Sequence, residues 1–299
     1  MFIAPPVTRT VLSLSPGSII DLILPRGARP AQPVRRGVCP NRTAQRDGRH
    51  PSKLVCHAMA TISRSDSMSS RLDGRRVLVT HAHRYLGPPV VELFRAEGAT
   101  VLADESELTG PDEPEELVAR SGRIDVLVAN LAGPPEAMPV TGMMVRPTEF
   151  TDEAVRGYID ALVWPLLRIV RATLAQMFER GSGKIVAITS ATPERAIPGL
   201  SIYSAARGAQ NAFLQVVGAE AAPHNVQVNA IGPAHIENNM YYTEDMLADR
   251  SVRESFEADI PAGRLGKGHE AAELALALAS GASDFLAGQL IPVSGGWTT

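Results

Sequence analysis

From residue 76 onward, short apolar runs alternate with longer stretches whose apolar residues recur every three to four positions. Short runs bounded by turn formers read as buried strands, and the longer periodic stretches as amphipathic helices. Arg76-Val-Leu-Val-Thr80 predicts a first strand, and Pro88 to Glu97 a helix stopped by Gly98. Thr100 to Asp104 predicts a second strand, Glu113 to Arg120 a helix, and Ile124 to Asn130 a third strand. Thr151 to about Arg180 reads as one long helix that Pro165 is expected to kink or break. Lys184 to Ser190, Tyr203 to about Ala221, Val226 to Ile231, Glu270 to Ser280 and Gln289 to Val293 continue the alternation. This order predicts an α/β fold, a doubly wound parallel sheet whose sites form at the carboxyl ends of the strands. Right-handed crossovers bring Gly87, Asn130, Ser190 and Pro233 near that edge. Only one helix fits between Asp104 and Ile124, so the sheet is expected to be trimmed on that side.

Residues 1–67 follow no such pattern. Prolines from Pro5 to Pro51 and arginines from Arg9 to Arg49 crowd the segment, against Asp21 and Asp47. It reads as a disordered extension or as upstream-translated sequence with Met59 or Met68 as the start; a transit peptide and a basic nucleic-acid-binding arm are the other readings. The catalytic domain is expected over residues 68–299.

Composition narrows the function classes. With 44% hydrophobic and 20% charged residues the chain reads as globular, and a net charge of -3 gives no reason to expect nucleic acid. No run of apolar residues approaches the roughly 20 needed to span a bilayer, so no membrane partner is expected. The cysteines, Cys39 and Cys56, both fall in the proline-rich segment, which leaves the rest without a cysteine nucleophile or a disulfide framework. His81 and His83 are two apart, a spacing better explained by a solvated turn than by a metal, and no metal is expected.

The chemistry concentrates in Thr189 to Gly208. Ser190 closes a buried strand, and Tyr203 and Arg207, four apart, share a helix face. A hydroxyl facing a phenol backed by a fixed cation is a proton-transfer device: Arg207 cannot lose its charge and favours negative charge on the phenol, while Ser190 holds the substrate oxygen. Thr80-His-Ala-His-Arg-Tyr-Leu-Gly87, followed by Pro88 and Pro89, argues against a nucleotide. Phosphate-binding turns need glycines for close approach and free N–H groups at the helix start, and the two prolines remove two such donors. Asp104, at the end of the second strand, is then a relic or a capping residue.

Ser190-x12-Tyr203-x3-basic resembles the short-chain dehydrogenase/reductase superfamily, which normally carries Lys where Arg207 stands and Thr-Gly-x-x-x-Gly-x-Gly where Thr80–Gly87 stands. The arginine, together with Thr80-x4-Tyr85-x-Gly87, resembles the halohydrin (haloalcohol) dehalogenases, which share the Rossmann-like fold and use no nicotinamide. Asp125-Val-Leu-Val-Ala-Asn130, Val228-Asn-Ala-Ile-Gly-Pro233 and Gly288 to Trp297 resemble the shared strands of the superfamily. The resemblance implies a single Rossmann-like domain and a cytoplasmic carbon–halogen lyase without cofactor. Its reaction would be reversible closure of vicinal haloalcohols to epoxides, with ring opening by halide, azide, cyanide or nitrite. It makes Ser190, Tyr203 and Arg207 catalytic. Tyr85 and the loop Pro233-Ala234-His235-Ile236 would bind halide, and Leu131, Thr192, Ile197, Leu200, Met240 and Tyr241 would line the substrate pocket. Some relatives carry an Asp linked to the arginine at the position of Leu131, so a proton relay through that position is not expected here. The resemblance also implies a homotetramer built on the helices 151–180 and 203–221, with Trp164 and Leu214 either as contacts or as core of the chain. Two alternatives stand beside it: an NAD(P)-dependent short-chain oxidoreductase with a degenerate nucleotide loop, and a non-catalytic scaffold of that fold.

Overall fold

The computed structural model describes residues 70–132 and 145–299. The expected domain boundary at residue 67, and the character of the segment before it, lie outside these residues. The strands are β1 (Arg76–Val79), β2 (Thr100–Ala103), β3 (Val126–Asn130), β4 (Gly183–Ile188), β5 (Val226–Pro233) and β6 (Leu290–Val293). All five pairings are parallel, in the order β2-β1-β3-β4-β5-β6. The order reverses between β1 and β3, the switch point where an open α/β sheet forms its crevice. A single helix connects β2 to β3, so the sheet ends at β2, as the short Asp104–Ile124 spacing predicts.

The inner strands β1, β3, β4 and β5 are buried on both faces, which is why each reads as a near-continuous apolar run, while the edge strands β2 and β6 are partly exposed. In β1, Val77 and Val79 face the layer formed by α1 (Gly87–Ala96) and α8 (Gly268–Ala279), packing against Val90, Phe94, Ala275 and Leu276. Leu78 faces the opposite layer, formed by α2 (Glu113–Ser121), α4 (Trp164–Arg180) and α5 (Ser201–Ala221). Leu214 of α5 is buried in that second layer, 2% exposed, which places it in the core of this chain, the second of the two readings open to it. Trp164 is exposed, with the Arg168 guanidinium 5.2 Å from its ring centre.

The expected helix from Thr151 is three segments. The α3 helix (Asp152–Tyr158), capped by the Thr151 hydroxyl, runs into a π-helical turn at Ile159–Val163 and then into α4. Pro165 lies directly after that turn, at the start of α4, so the irregularity falls where it is expected: the missing proline N–H interrupts the ladder of a helical run that continues from Asp152 to Arg180. By length and composition the run Asp152–Arg180 could cross a membrane, against the expectation that no stretch of the chain is apolar enough; half of its most apolar window is buried within the fold.

The segment after β5 carries two short helices that the strand–helix alternation does not announce, α6 (Glu244–Ala248) and α7 (Arg250–Glu257). Thr243 and Asp249 cap them, and Leu247, Ile260 and Leu265 form their small core with Tyr242 and Phe256 packed against it.

Candidate active site

Of the glycines of a phosphate-binding loop, the β1–α1 turn keeps only Gly87. His81 (φ 44) and Tyr85 (φ 54) both take left-handed backbone, at a cost of about 1 kcal/mol each. The surroundings hold them there. Asn130 Nδ2 donates to the carbonyls of His81 and Arg84, both at 3.0 Å. Asn239, arriving from beyond β5, accepts from the Tyr85 N–H at 2.9 Å and donates to the His83 carbonyl at 3.1 Å. Gly87 is required by close approach, because a Cβ there would lie 2.6 Å from the carbonyl oxygens of both His81 and Ala82.

His81 is fully buried, which corrects its reading as part of a solvated turn. Its Nδ1 accepts from the Ala132 N–H at 3.2 Å, which leaves the ring proton on Nε2, 3.3 Å from the Glu107 carbonyl. Burial pushes its pKa below the ordinary histidine range, so the ring is a neutral bridge across the crevice. Arg84 pairs with the Glu107 carboxylate beside it.

The Tyr85 ring meets Tyr241 edge to face, with centroids 5.6 Å apart. The Tyr241 hydroxyl donates to the Ala132 carbonyl at 3.1 Å. Burial, followed by the influence of Tyr203, holds both of these phenols well above their ordinary pKa. Tyr85, Tyr203, Tyr241 and Arg207 therefore share one electrostatic neighbourhood.

On α5, Arg207 Nε donates to the Tyr203 hydroxyl at 3.2 Å, the contact that the four-residue spacing predicts. The guanidinium is 1% exposed and also donates from Nη1 to the Leu131 carbonyl at 3.3 Å and to Gln210 Oε1 at 2.9 Å. Burial opposes its charge, but the phenols of Tyr203, Tyr241 and Tyr85 together outweigh that, and its pKa is raised. Ser190 lies at the end of β4, 3% exposed, its hydroxyl 2.8 Å from that of Thr192 and accepting from the Thr192 N–H at 3.1 Å. Asn211 Nδ2 donates to the Ser190 carbonyl at 3.3 Å, tying the strand end to α5 one turn beyond Arg207. Tyr158 packs edge to face on Tyr203, with centroids 6.2 Å apart.

The remaining expected residues divide. Leu131 contributes a buried backbone carbonyl to Arg207, and Thr192 is the hydroxyl partner of Ser190. Ile197, Leu200 and Met240 are half-buried. The Pro233 carbonyl accepts from the Ala191 N–H, and the Ala234 N–H donates to Val293. Ile236 belongs to the core cluster against which Tyr85 packs. His235 is turned elsewhere: its ring packs among Tyr242, Phe256 and Trp297, and its Nδ1 is 3.0 Å from the Tyr242 hydroxyl. Gln210, Asn211 and Tyr158 were missed. Gln210 lies seven residues after Tyr203, so helical periodicity already places it on the face of Tyr203 and Arg207.

A nicotinamide dinucleotide does not fit this crevice. Of the donors at the helix entrance, the Tyr85 N–H is bound to Asn239 and the Gly87 N–H to Arg84, and Pro88 and Pro89 have none. His81 bridges the gap between the end of β3 and Glu107, and the rings of Tyr85 and Tyr241 stand beside Arg207 and Tyr203. Asp104, which could hold a ribose hydroxyl, is instead engaged by Ser106 at 2.6 Å and Arg120 at 3.0 Å.

Known proteins place the chain in a family. A family model described as enoyl-(acyl carrier protein) reductase matches residues 82–298. The 3-oxoacyl-[acyl-carrier-protein] reductase of Thermotoga maritima is 31% identical over 76% of this chain and 98% of its own length. The gluconate 5-dehydrogenase of Gluconobacter oxydans is 31% identical over 69% of this chain and 78% of its own. A solved structure named "Dehalogenation enzyme" superposes with a TM-score of 0.69 at 29% identity, over 76% of this chain and 99% of that one. These names overturn the enzyme class expected from the motifs. The relatives are oxidoreductases, and the class of halohydrin dehalogenase and carbon–halogen lyase is not carried by them. With its six-stranded Rossmann-like sheet and its match over residues 82–298, the chain belongs to the short-chain dehydrogenase/reductase superfamily, a family of oxidoreductases.

Proposed function

We propose that this oxidoreductase-family chain works on the oxygen of a small alcohol or carbonyl substrate. Tyr203 exchanges the proton at that oxygen, Ser190 holds it, and Arg207 stabilises the negative charge that builds on the phenol. The 3.2 Å contact from Arg207 Nε to the Tyr203 hydroxyl carries the reading, because it puts a permanent charge on the atom that must gain and lose the proton. The names of the relatives support alcohol–carbonyl oxidoreduction, in which a nicotinamide nucleotide supplies or takes the hydride. The crevice does not fit that nucleotide, and the roles of Tyr203, Ser190 and Arg207 stand without it.

The aromatic pair Tyr85–Tyr241 and the similarity to the structure named "Dehalogenation enzyme" favour a second reading of the same residues. In it, Tyr203 takes the hydroxyl proton of a vicinal haloalcohol, the oxygen closes on the neighbouring carbon, and the carbon–halogen bond breaks with the electron pair leaving on halide. No hydride moves. Holding oxygen and leaving group in line draws on the roughly 7–11 kcal/mol available to proximity and orientation.

One set of assays separates the readings. NADH and NADPH are titrated against the protein, alcohol oxidation is followed by absorbance, and halide release is measured with a small bromoalcohol. Saturable nucleotide binding with turnover supports the first reading. Halide release without nucleotide supports the second. Tyr203→Phe is expected to lower either activity by at least about 100-fold. A variant as active as the parent protein would sink both.

A further inference from the structure

Arg207 is a buried cation with an unusual set of partners. The Tyr203 hydroxyl, the Leu131 carbonyl and the Gln210 amide oxygen are all neutral, and among the described residues no carboxylate forms an ion pair with it. Removing a cation from water is expensive unless something replaces the lost solvation, and proteins commonly supply a carboxylate. Here hydrogen bonds supply it instead, and the charge is left uncancelled.

We propose that Gln210 is a positioning residue for Tyr203, a neutral clamp that fixes the Arg207 guanidinium without cancelling its charge. The proposal rests on the reading of Tyr203 as the proton-exchanging group. Gln210 is 1% exposed and lies one turn beyond Arg207 on the same face of α5. Its Oε1 accepts from Arg207 Nη1 at 2.9 Å, and its Nε2 donates to the Leu162 carbonyl at 2.7 Å. Leu162 lies within the π-helical turn, where the widened backbone bonding leaves a carbonyl for a side chain to satisfy. Both ends of the amide are committed, which sets its orientation: reversed, it would aim N–H at a guanidinium N–H and oxygen at a carbonyl. The chain of contacts runs from the π turn through Gln210 and Arg207 to the Tyr203 hydroxyl.

The residue type follows from the electrostatics. A carboxylate at position 210 would bind the guanidinium as well, but it would set a negative charge against the positive one that acts on the phenol. An apolar side chain would fill the volume and leave both the guanidinium and the Leu162 carbonyl short of a partner. Glutamine orients the cation and leaves its full charge to Tyr203. The other ionisable groups in this neighbourhood are the phenols of Tyr85 from the β1–α1 turn, Tyr158 from α3, and Tyr241 and Tyr242 from the segment after β5.

The test is an alkaline titration of phenolate absorbance, done on the full chain without substrate. The protein has five tyrosines, and the difference between the parent curve and that of Tyr203→Phe isolates the step that belongs to Tyr203. In Gln210→Glu that step moves to higher pH than in the parent by about one unit or more, a tenfold change in proton affinity. In Gln210→Met, which keeps the volume and removes both hydrogen bonds, it moves the same way by a smaller amount. A purely structural role would lower the melting temperature of both variants and leave the step in place. That result, with both variants cooperatively folded, overturns the proposal. Activity in Tyr203→Phe equal to that of the parent overturns instead the reading of Tyr203 on which it rests.

Discussion

Tyr85→Gly and Tyr85→Ala, compared with each other, separate the two roles of Tyr85 in the β1–α1 turn. Both remove the ring. A partly buried phenol contributes about 1–2 kcal/mol of apolar burial, and its edge-to-face contact with Tyr241, at 5.6 Å, about 0.5–1.5 kcal/mol more. Glycine recovers about 1 kcal/mol because φ 54 costs it nothing, and returns roughly 0.5–1 kcal/mol through the greater freedom of its unfolded chain. Tyr85→Gly should therefore be less stable than the parent by about 1–3 kcal/mol. Tyr85→Ala loses the ring and keeps the left-handed strain but avoids glycine's entropic cost, so it should fall only about 0–0.5 kcal/mol below the glycine variant. Urea unfolding of the three proteins measures both differences. Thermal melts with and without NADPH test the crevice, since a nucleotide present at 100 times its Kd would add about 2.7 kcal/mol. The parent protein should gain nothing. Two results would refute the reasoning: alanine more stable than glycine at position 85 by about 0.5 kcal/mol or more, or a parent protein that NADPH stabilises by several degrees.

Other expectations follow from the same geometry. Gly87→Ala forces a Cβ to within 2.6 Å of two backbone carbonyl oxygens and should cost about 2–3 kcal/mol, read as a lower urea midpoint with an unchanged slope. Burial keeps His81 and His235 neutral, with pKa values below those of the unfolded chain. Above about pH 6.5 neither state binds the proton and stability is level; below it the unfolded chain binds protons that the fold refuses, so stability falls with acidification. Urea midpoints at pH 7.5, 6 and 5 should decline in that order, and a flat series would contradict the buried placement of both rings.

The alternation of strands and helices was legible because the inner strands of this sheet are covered on both faces and the helices packed over it on one. Burial of that kind writes its period directly into the order of residues. The Tyr203–Arg207 contact was legible for a related reason, since the two are one helical turn apart, and the strand end that carries Ser190 is marked by its apolar run. The closed crevice was legible from what position 81, position 85 and the two prolines lack, namely small side chains and free N–H groups.

Contacts between distant parts of the chain decided the rest. Whether His81 faces water or is buried depends on Ala132 and Glu107, and no local pattern announces either bond. The link from Gln210 to Leu162 joins residues 48 apart and depends on a π-helical turn of which Pro165 announces the place but not the form. Leu214 reads equally well as core or as interface until the layer over the sheet is known. Periodicity reports which face of an element is covered; only the packed structure, in which hydrogen bonds close between residues far apart in sequence, reports what covers it.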